Sequence, residues 1–250
     1  MAGLSINQAW LIALLLGLAR AGGFIAICPP FSSSAIPGRV KAIIAVSFAL
    51  ASSGTQAVPE NLQGQAQFLG AVATQAALGL ALGFGVYVLF SAIGAAGDLV
   101  DLSIGFSAAQ ALDPVTGVQG SIVTRLFNYT ATALLFSTGG HILLVRGFVR
   151  SGAAVQTFSL SHLGQSAIAA SAQLFVAAIE IALPVAGSLL VAEIALAMLG
   201  KAAPQLNVFQ LGFAVKIVIG VTLLGLSVTL LPEQVSSLVG HGLDYMAGVK

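Results

Sequence analysis

Charge is what this chain has least of. Of 250 residues, 9 are Lys or Arg and 8 are Asp or Glu, 7% together, where a soluble domain carries roughly 25%. So little charge cannot cover a globule in water. With 58% hydrophobic residues and a mean hydropathy of +1.02, the chain reads as an integral membrane protein. A formal net charge of +1 gives no global attraction to nucleic acid, and no basic patch is interleaved with aromatics. Cysteine is nearly missing too. Cys28 stands alone in an apolar run, which excludes an internal disulfide and a thiolate metal cluster and leaves a small buried hydrophobe. No GxSxG, HExxH, phosphate-binding loop or GxGxxG after a strand occurs, so the expected protein is no enzyme and takes no cofactor. His141 and His162 lack a third ligand at metal-like spacing and read as structural or interfacial groups, with no metal implied.

What is present is apolar and helical in pattern; no ladder of alternating ten-residue segments suggests a β-barrel. The first apolar segment runs roughly from Ala9 to Ile27, with Arg20 inside it, and stops at Pro29-Pro30. No base precedes it, as a signal peptide requires, so it is read as retained. After "FSSSAIPGRVK", with its turn at Pro37, comes an apolar stretch of about ten residues. That is short against the roughly 20 needed to span. From Asn61 to Gly97 there is no charge at all. A single helix over about Ala66 to Gly97 is roughly 48 Å long, more than a bilayer core demands. Gly79 and Gly83 sit at the GxxxG spacing that lets helix backbones approach. A further apolar segment follows from Arg125 to Leu144. The run from about Ser166 contains Pro184, expected to kink or divide it. A terminal hairpin turns at Pro204 and Gln205, with Asn207 as an N-cap. Its second arm is expected to end at Pro232.

Charges within such segments need a partner or a wet site. Asp98 and Asp101 lie three apart on one helix face and are read as ending the long helix. They are ion ligands, markers of the headgroup layer, or partners of Arg125. Glu180 and Glu193, thirteen residues apart, do not share a face, which argues against a paired-carboxylate site. Each is expected to meet Lys216, Arg20 or a neighbouring subunit. Arg39 heads one basic loop and Arg146 and Arg150 another.

"GFSAAQALDPVTGVQGS", Gly105 to Ser121, carries a single charge, Asp113. For a loop between apolar segments that is too little for bulk water.

Several stretches together resemble the family of the flagellar biosynthesis protein FliR and its counterpart in virulence type III secretion. They are "RAGGFIAICPPFSSSAIPGRVKAIIAVSFAL", "GLALGFGVYVLFSAIGAAGDLVDLSIGFSAAQALDPVTG", "RLFNYTATALLFSTGGHILLVRGF" and "ALAMLGKAAPQLNVFQLGFAVKI". They occur in the family's order from about Arg20 to Ile217. Two positions depart: Asp98 stands where Glu is common, and Asp101 where a small residue is more usual.

The resemblance implies an all-α membrane protein of long broken helices and helical hairpins, built into a helical export gate rather than a simple spanning bundle. Residues 1–165 are expected to be like the P subunit and residues 166–250 like the Q subunit. Its implied partners are P-like and Q-like subunits, a B-like switch subunit, unfolded exported proteins and membrane lipid, with no nucleic acid. The implied location is the bacterial inner membrane, within a flagellar basal body or secretion-system base. The loop from Gly105 to Gly120 is implied to plug the pore. Phe106, Ala109 and Leu112 supply apolar bulk, Asp113 and Pro114 a turn, and Gly117 and Gly120 freedom to yield. Without the resemblance, a secondary transporter using intramembrane carboxylates is the alternative reading.

Overall fold

The computed structural model describes residues 8–54, 64–106, 121–152, 160–203 and 208–248. Among these the chain is helical, with no strand. The helices are α1 (Gln8–Ile27), α2 (Pro29–Ser32), α3 (Gly38–Ser52), α4 (Gln65–Ile104), α5 (Ile122–Ser137), α6 (Gly140–Arg150), α7 (Leu160–Ala202) and α8 (Val208–Gly248). Among the described residues four stretches are long and apolar enough to cross a membrane, Gln8–Ile27, Gln65–Ile104, Ala167–Ala202 and Leu211–Thr229, and α5 with α6, bent by 74°, make a fifth if the pair is one span. The protein is an all-α integral membrane protein.

Two compact units share these helices. The first comprises Met1–Leu89, Gly139–Ser171 and Leu238–Lys250; the second comprises Phe90–Thr138 and Ala172–Ser237.

In the first unit, α1 packs on α3, and α3 on α6. Four phenylalanines hold them. Phe24 on α1 meets Phe148 on α6 at 5.3 Å between ring centroids. Phe48 on α3 meets Phe148 at 5.2 Å, and Phe31 on α2 meets Phe48 at 5.7 Å, edge on. Phe24 and Phe148 are fully buried. Each tilted pair adds about 1 kcal/mol beyond its burial. Against the other side of α1, α4 comes close enough to forbid a side chain. A Cβ on Gly79 collides with the Arg20 carbonyl, and one on Gly83 stands 2.8 Å from the Phe24 carbonyl. The GxxxG spacing is therefore a backbone contact between helices.

In the second unit, α4 and α5 are equally close. A Cβ on Gly97 stands 2.6 Å from Thr124 Cα. Ser121 caps α5, its hydroxyl accepting from the Thr124 amide at 3.1 Å.

Several elements differ from the sequence expectation. α4 does not end at Asp98; it carries both aspartates and runs on to Ile104, where Gly105 leaves the helix at φ 99°. A left-handed glycine is the stop, not the charge. The segment from Arg125 to Leu144 is broken into α5 and α6 by Gly139, at φ 77°. Pro184 does not divide α7, nor does Pro232 end α8. A proline costs one ladder hydrogen bond, and an apolar environment offers the chain no better place for its remaining amides than the same helix. The second apolar stretch is α3, 15 residues rather than ten, because "GRVK" forms its first turn behind Pro37. Pro204, Gln205 and Asn207 lie outside the described residues; α7 ends and α8 begins on either side of them.

Candidate functional site

The weakly charged loop is the first place to look for function. Its residues 107–120, including Ala109, Leu112, Asp113, Pro114, Gly117 and Gly120, lie outside the described residues. Its two roots are described. At the first root Ile104 is fully buried and lies against Gly220 of α8, where a Cβ stands 2.5 Å from Ile104 Cγ1. Gly105, the next residue, faces the Phe213 ring, with 3.2 Å between its virtual Cβ and Phe213 Cε2. Phe106 follows, half-buried. At the second root, Ser121 starts α5. The roots are tied to each other through Thr124, whose hydroxyl donates to the Asp98 carboxylate and stands 3.3 Å from the Gly94 carbonyl. Gly97 makes room for it. The segment thus leaves and re-enters one tightly packed junction of α4, α5 and α8. Of the residues that build this junction, Gly94 and Gly97 belong to the small-residue spacing legible along α4, whereas nothing in the sequence points to Thr124, Phe213 or Gly220. Two small residues one turn apart before the acidic pair were the available signal.

The two aspartates, alike in sequence, are divided by this junction. Asp98 is exposed and bonded to Thr124. Asp101 is 1% exposed, and neither of its oxygens has a hydrogen-bond partner among the described residues. Arg125 is exposed and forms no ion pair with either aspartate among those residues. Further along, Lys216 Nζ on α8 lies 2.8 Å from Glu193 Oε1 on α7, a link between the two arms. Glu180 is exposed on α7. The structure does not bring Glu180 and Glu193 into one site.

The first unit buries a charge of the other sign. Arg20 is fully enclosed. Its guanidinium sits 4.9 Å from the Phe148 ring centroid, a cation–π contact. None of its nitrogens has a hydrogen-bond partner among the described residues. Cys28 is buried between α1 and α2, and that burial pushes its thiol up and makes it unreactive. Arg39 and Arg146 are exposed, and His141 is half-buried. No group of three His, Cys, Asp or Glu that could hold a metal occurs among the described residues.

Taken together, the geometry offers no ligand cage for a metal among the described residues. It offers a tightly packed junction of α4, α5 and α8, isolated buried charges and long apolar helix faces. Comparison with known proteins supplies the context. The chain matches the family described as bacterial export proteins, family 1, over residues 11–242. It is 28% identical over 245 residues to the flagellar biosynthetic protein FliR of Pectobacterium carotovorum, covering 96% of this chain and 93% of that protein. To FliR of Escherichia coli it is 29% identical over 228 residues, 86% of this chain and 84% of the other. To the surface presentation of antigens protein SpaR of Shigella sonnei it is 26% identical over 179 residues, 71% and 69% respectively.

Proposed function

The chain belongs to family 1 of the bacterial export proteins, and from that premise we propose that it is a core subunit of a flagellar or related type III protein export gate. A component of a protein export apparatus works with other components, and its family is not one of known enzymes. In the finer reading this subunit joins P-like and Q-like subunits, and a B-like switch subunit, in the bacterial inner membrane. Together they form a closed channel for unfolded proteins. Residues 1–165 serve as the P-like part and residues 166–250 as the Q-like hairpin. The segment from Gly105 to Gly120 closes the pore at rest and yields when a chain passes.

The observation that carries this reading is the clamp at the two roots of that segment. A plug must stay put while its tip moves. Ile104 against Gly220 and Thr124 against Gly97 and Asp98 hold the ends. Between them, a stretch of small residues with one charge can lie against a neighbouring ring with little desolvation. Bare apolar faces on the α7–α8 hairpin agree with a subunit that is finished by neighbours. Ile168, Phe175, Val191, Met198 and Val218 are each more than 65% exposed, a composition fitted to lipid or to other membrane helices.

Two measurements test the proposal. Expressed with its neighbours, the chain is expected to co-purify with P-like and Q-like proteins. A monomer that instead binds a small solute through Asp101 would make it a transporter. In the assembled complex, deleting Gly105 to Gly120 is expected to raise ion leak across the membrane; unchanged leak would remove the plug from the mechanism.

A further inference from the structure

Helix α3 carries a face with one charge at one end and only apolar residues beyond it. Arg39, Ile43, Val46 and Leu50 recur at intervals of four, three and four, so they form one stripe. Arg39 is exposed, and Ile43 is 66%, Val46 44% and Leu50 48% exposed. The opposite face, with Phe48, Ala49 and Ser52, is buried. A second cation is fixed at the same end: Lys41 Nζ donates to the Ser32 carbonyl at 2.8 Å, which holds its ammonium beside the turn that precedes the helix. That turn is itself exposed at Ser33, Ser34, Ala35 and Pro37. Among the residues whose side chains are described, the unit to which α3 belongs contains no acidic one.

We infer that this face of α3 sits in lipid, with Arg39 and Lys41 at the phosphates of anionic headgroups and the Ile43–Val46–Leu50 stripe along the acyl chains. Length supports this. Arg39 to Leu50 covers roughly 16 Å of helix axis, about one leaflet of a ~30 Å hydrocarbon core. At 15 residues α3 is too short to cross. It is long enough to reach from a headgroup layer to the midplane. Polarity supports it too. Charge at one end and hydrocarbon along the rest follows the gradient of a leaflet. A contact with the carboxylate of a neighbouring subunit imposes no such gradient from Arg39 to Leu50. The positive end of the α3 dipole lies at the same end as the two cations and adds to the attraction.

The test uses the full chain in vesicles. Cys28 is its one cysteine and is buried, so Ile43→Cys can be labelled alone with a small fluorophore. The vesicles are an equal mixture of phosphatidylcholine and phosphatidylglycerol, with an acyl-chain nitroxide quencher on one lipid or on the other. Quenching by both is expected, and stronger by labelled phosphatidylglycerol. Each base near an anionic surface enriches that lipid about fivefold, on the order of 25-fold for the two. Arg39→Gln with Lys41→Gln is expected to equalise the two lipids. Arg39→Lys with Lys41→Arg, which keeps the charge and shows that the fold tolerates substitution there, is expected to preserve the preference. Equal quenching by both lipids in the chain with native Arg39 and Lys41 overturns the inference. So does an unquenched probe, and so does a crosslink in the native complex from position 39 to a neighbouring subunit's carboxylate.

Discussion

The first unit holds six of the nine basic residues and two of the eight acidic ones; the second holds three basic and six acidic. That is a formal +4 against −3 on units built from equally apolar helices. Their packing differs as well. Within its most apolar stretch α1, in the first unit, is 39% buried, whereas Leu211–Thr229, in the second, is 17% buried. The first unit is closed by four phenylalanines and by glycine contacts between backbones. The second is dense at one junction and bare along its hairpin. The difference teaches where stability is held and where surface is left for other molecules. The first unit has an interior of its own, although it too leaves apolar residues such as Ile43 and Leu69 exposed. A hairpin of mostly exposed apolar residues needs lipid or protein around it.

This contrast predicts unequal responses to mutation. Phe148→Ala is expected to have the largest effect. It removes a fully buried ring that touches Phe24, Phe48 and Arg20, at about 3–5 kcal/mol. Thermal unfolding in detergent should show this as a lowered midpoint. An effect below about 1 kcal/mol would mean that the aromatic cluster is not what closes the first unit. Gly79→Leu follows, at about 3 kcal/mol, because the Arg20 backbone occupies the space its side chain needs. The matched control is Gly187→Ala in the second unit, where nothing stands within 4 Å. There the gain in helix propensity is expected to leave stability unchanged or raised by up to about 1 kcal/mol.

The same comparison shows what could be read from the sequence. Membrane character, helicity, the glycine contact at Gly79 and Gly83 and the start of α1 follow from composition and spacing, which act locally. The ends of α4 and α8, and the continuation of α7 through Pro184, do not. Proline stops a helix in water because freed carbonyls can be solvated there. At Pro184 and Pro232 that alternative is missing, and the helices continue. Asp98 and Asp101 had the same reading in sequence. Their different fates depend on Thr124, 26 residues away from Asp98, and no local pattern carries that distance. The phenylalanine cluster likewise joins residues from four helices with no common spacing. The low charge of the stretch from Gly105 to Ser121 is legible in the sequence. The clamp at its roots is not, because Gly220 and Phe213 come from the far end of the chain.

Arg20 gives the next prediction, opposite in sign. A buried guanidinium with no hydrogen-bond partner among the described residues retains its desolvation cost, and one cation–π contact offsets only part of it. Replacing it with an apolar side chain of similar length removes the cost and keeps the packing on Phe148. Arg20→Met is therefore expected to raise the stability of the isolated chain by about 1–2 kcal/mol, read as a raised unfolding midpoint. A lowered midpoint would show that the guanidinium has an anionic partner in the folded chain.

The smallest effect belongs to the ion pair of the bare hairpin. Lys216 and Glu193 lie 2.8 Å apart, but their side chains are 22% and 59% exposed. Water or headgroups screen such a pair, and holding two long side chains costs entropy. A double-mutant cycle of Lys216→Gln and Glu193→Gln is expected to give a coupling of about 0.5 kcal/mol, measured by unfolding in detergent. The same cycle in lipid vesicles sharpens the comparison between units. If the hairpin is enclosed by hydrocarbon there, the dielectric around the pair falls and the coupling must grow. If the pair sits at a wet surface, the coupling stays where detergent puts it. A coupling of several kcal/mol in detergent would mean that the second unit, like the first, holds itself together from within.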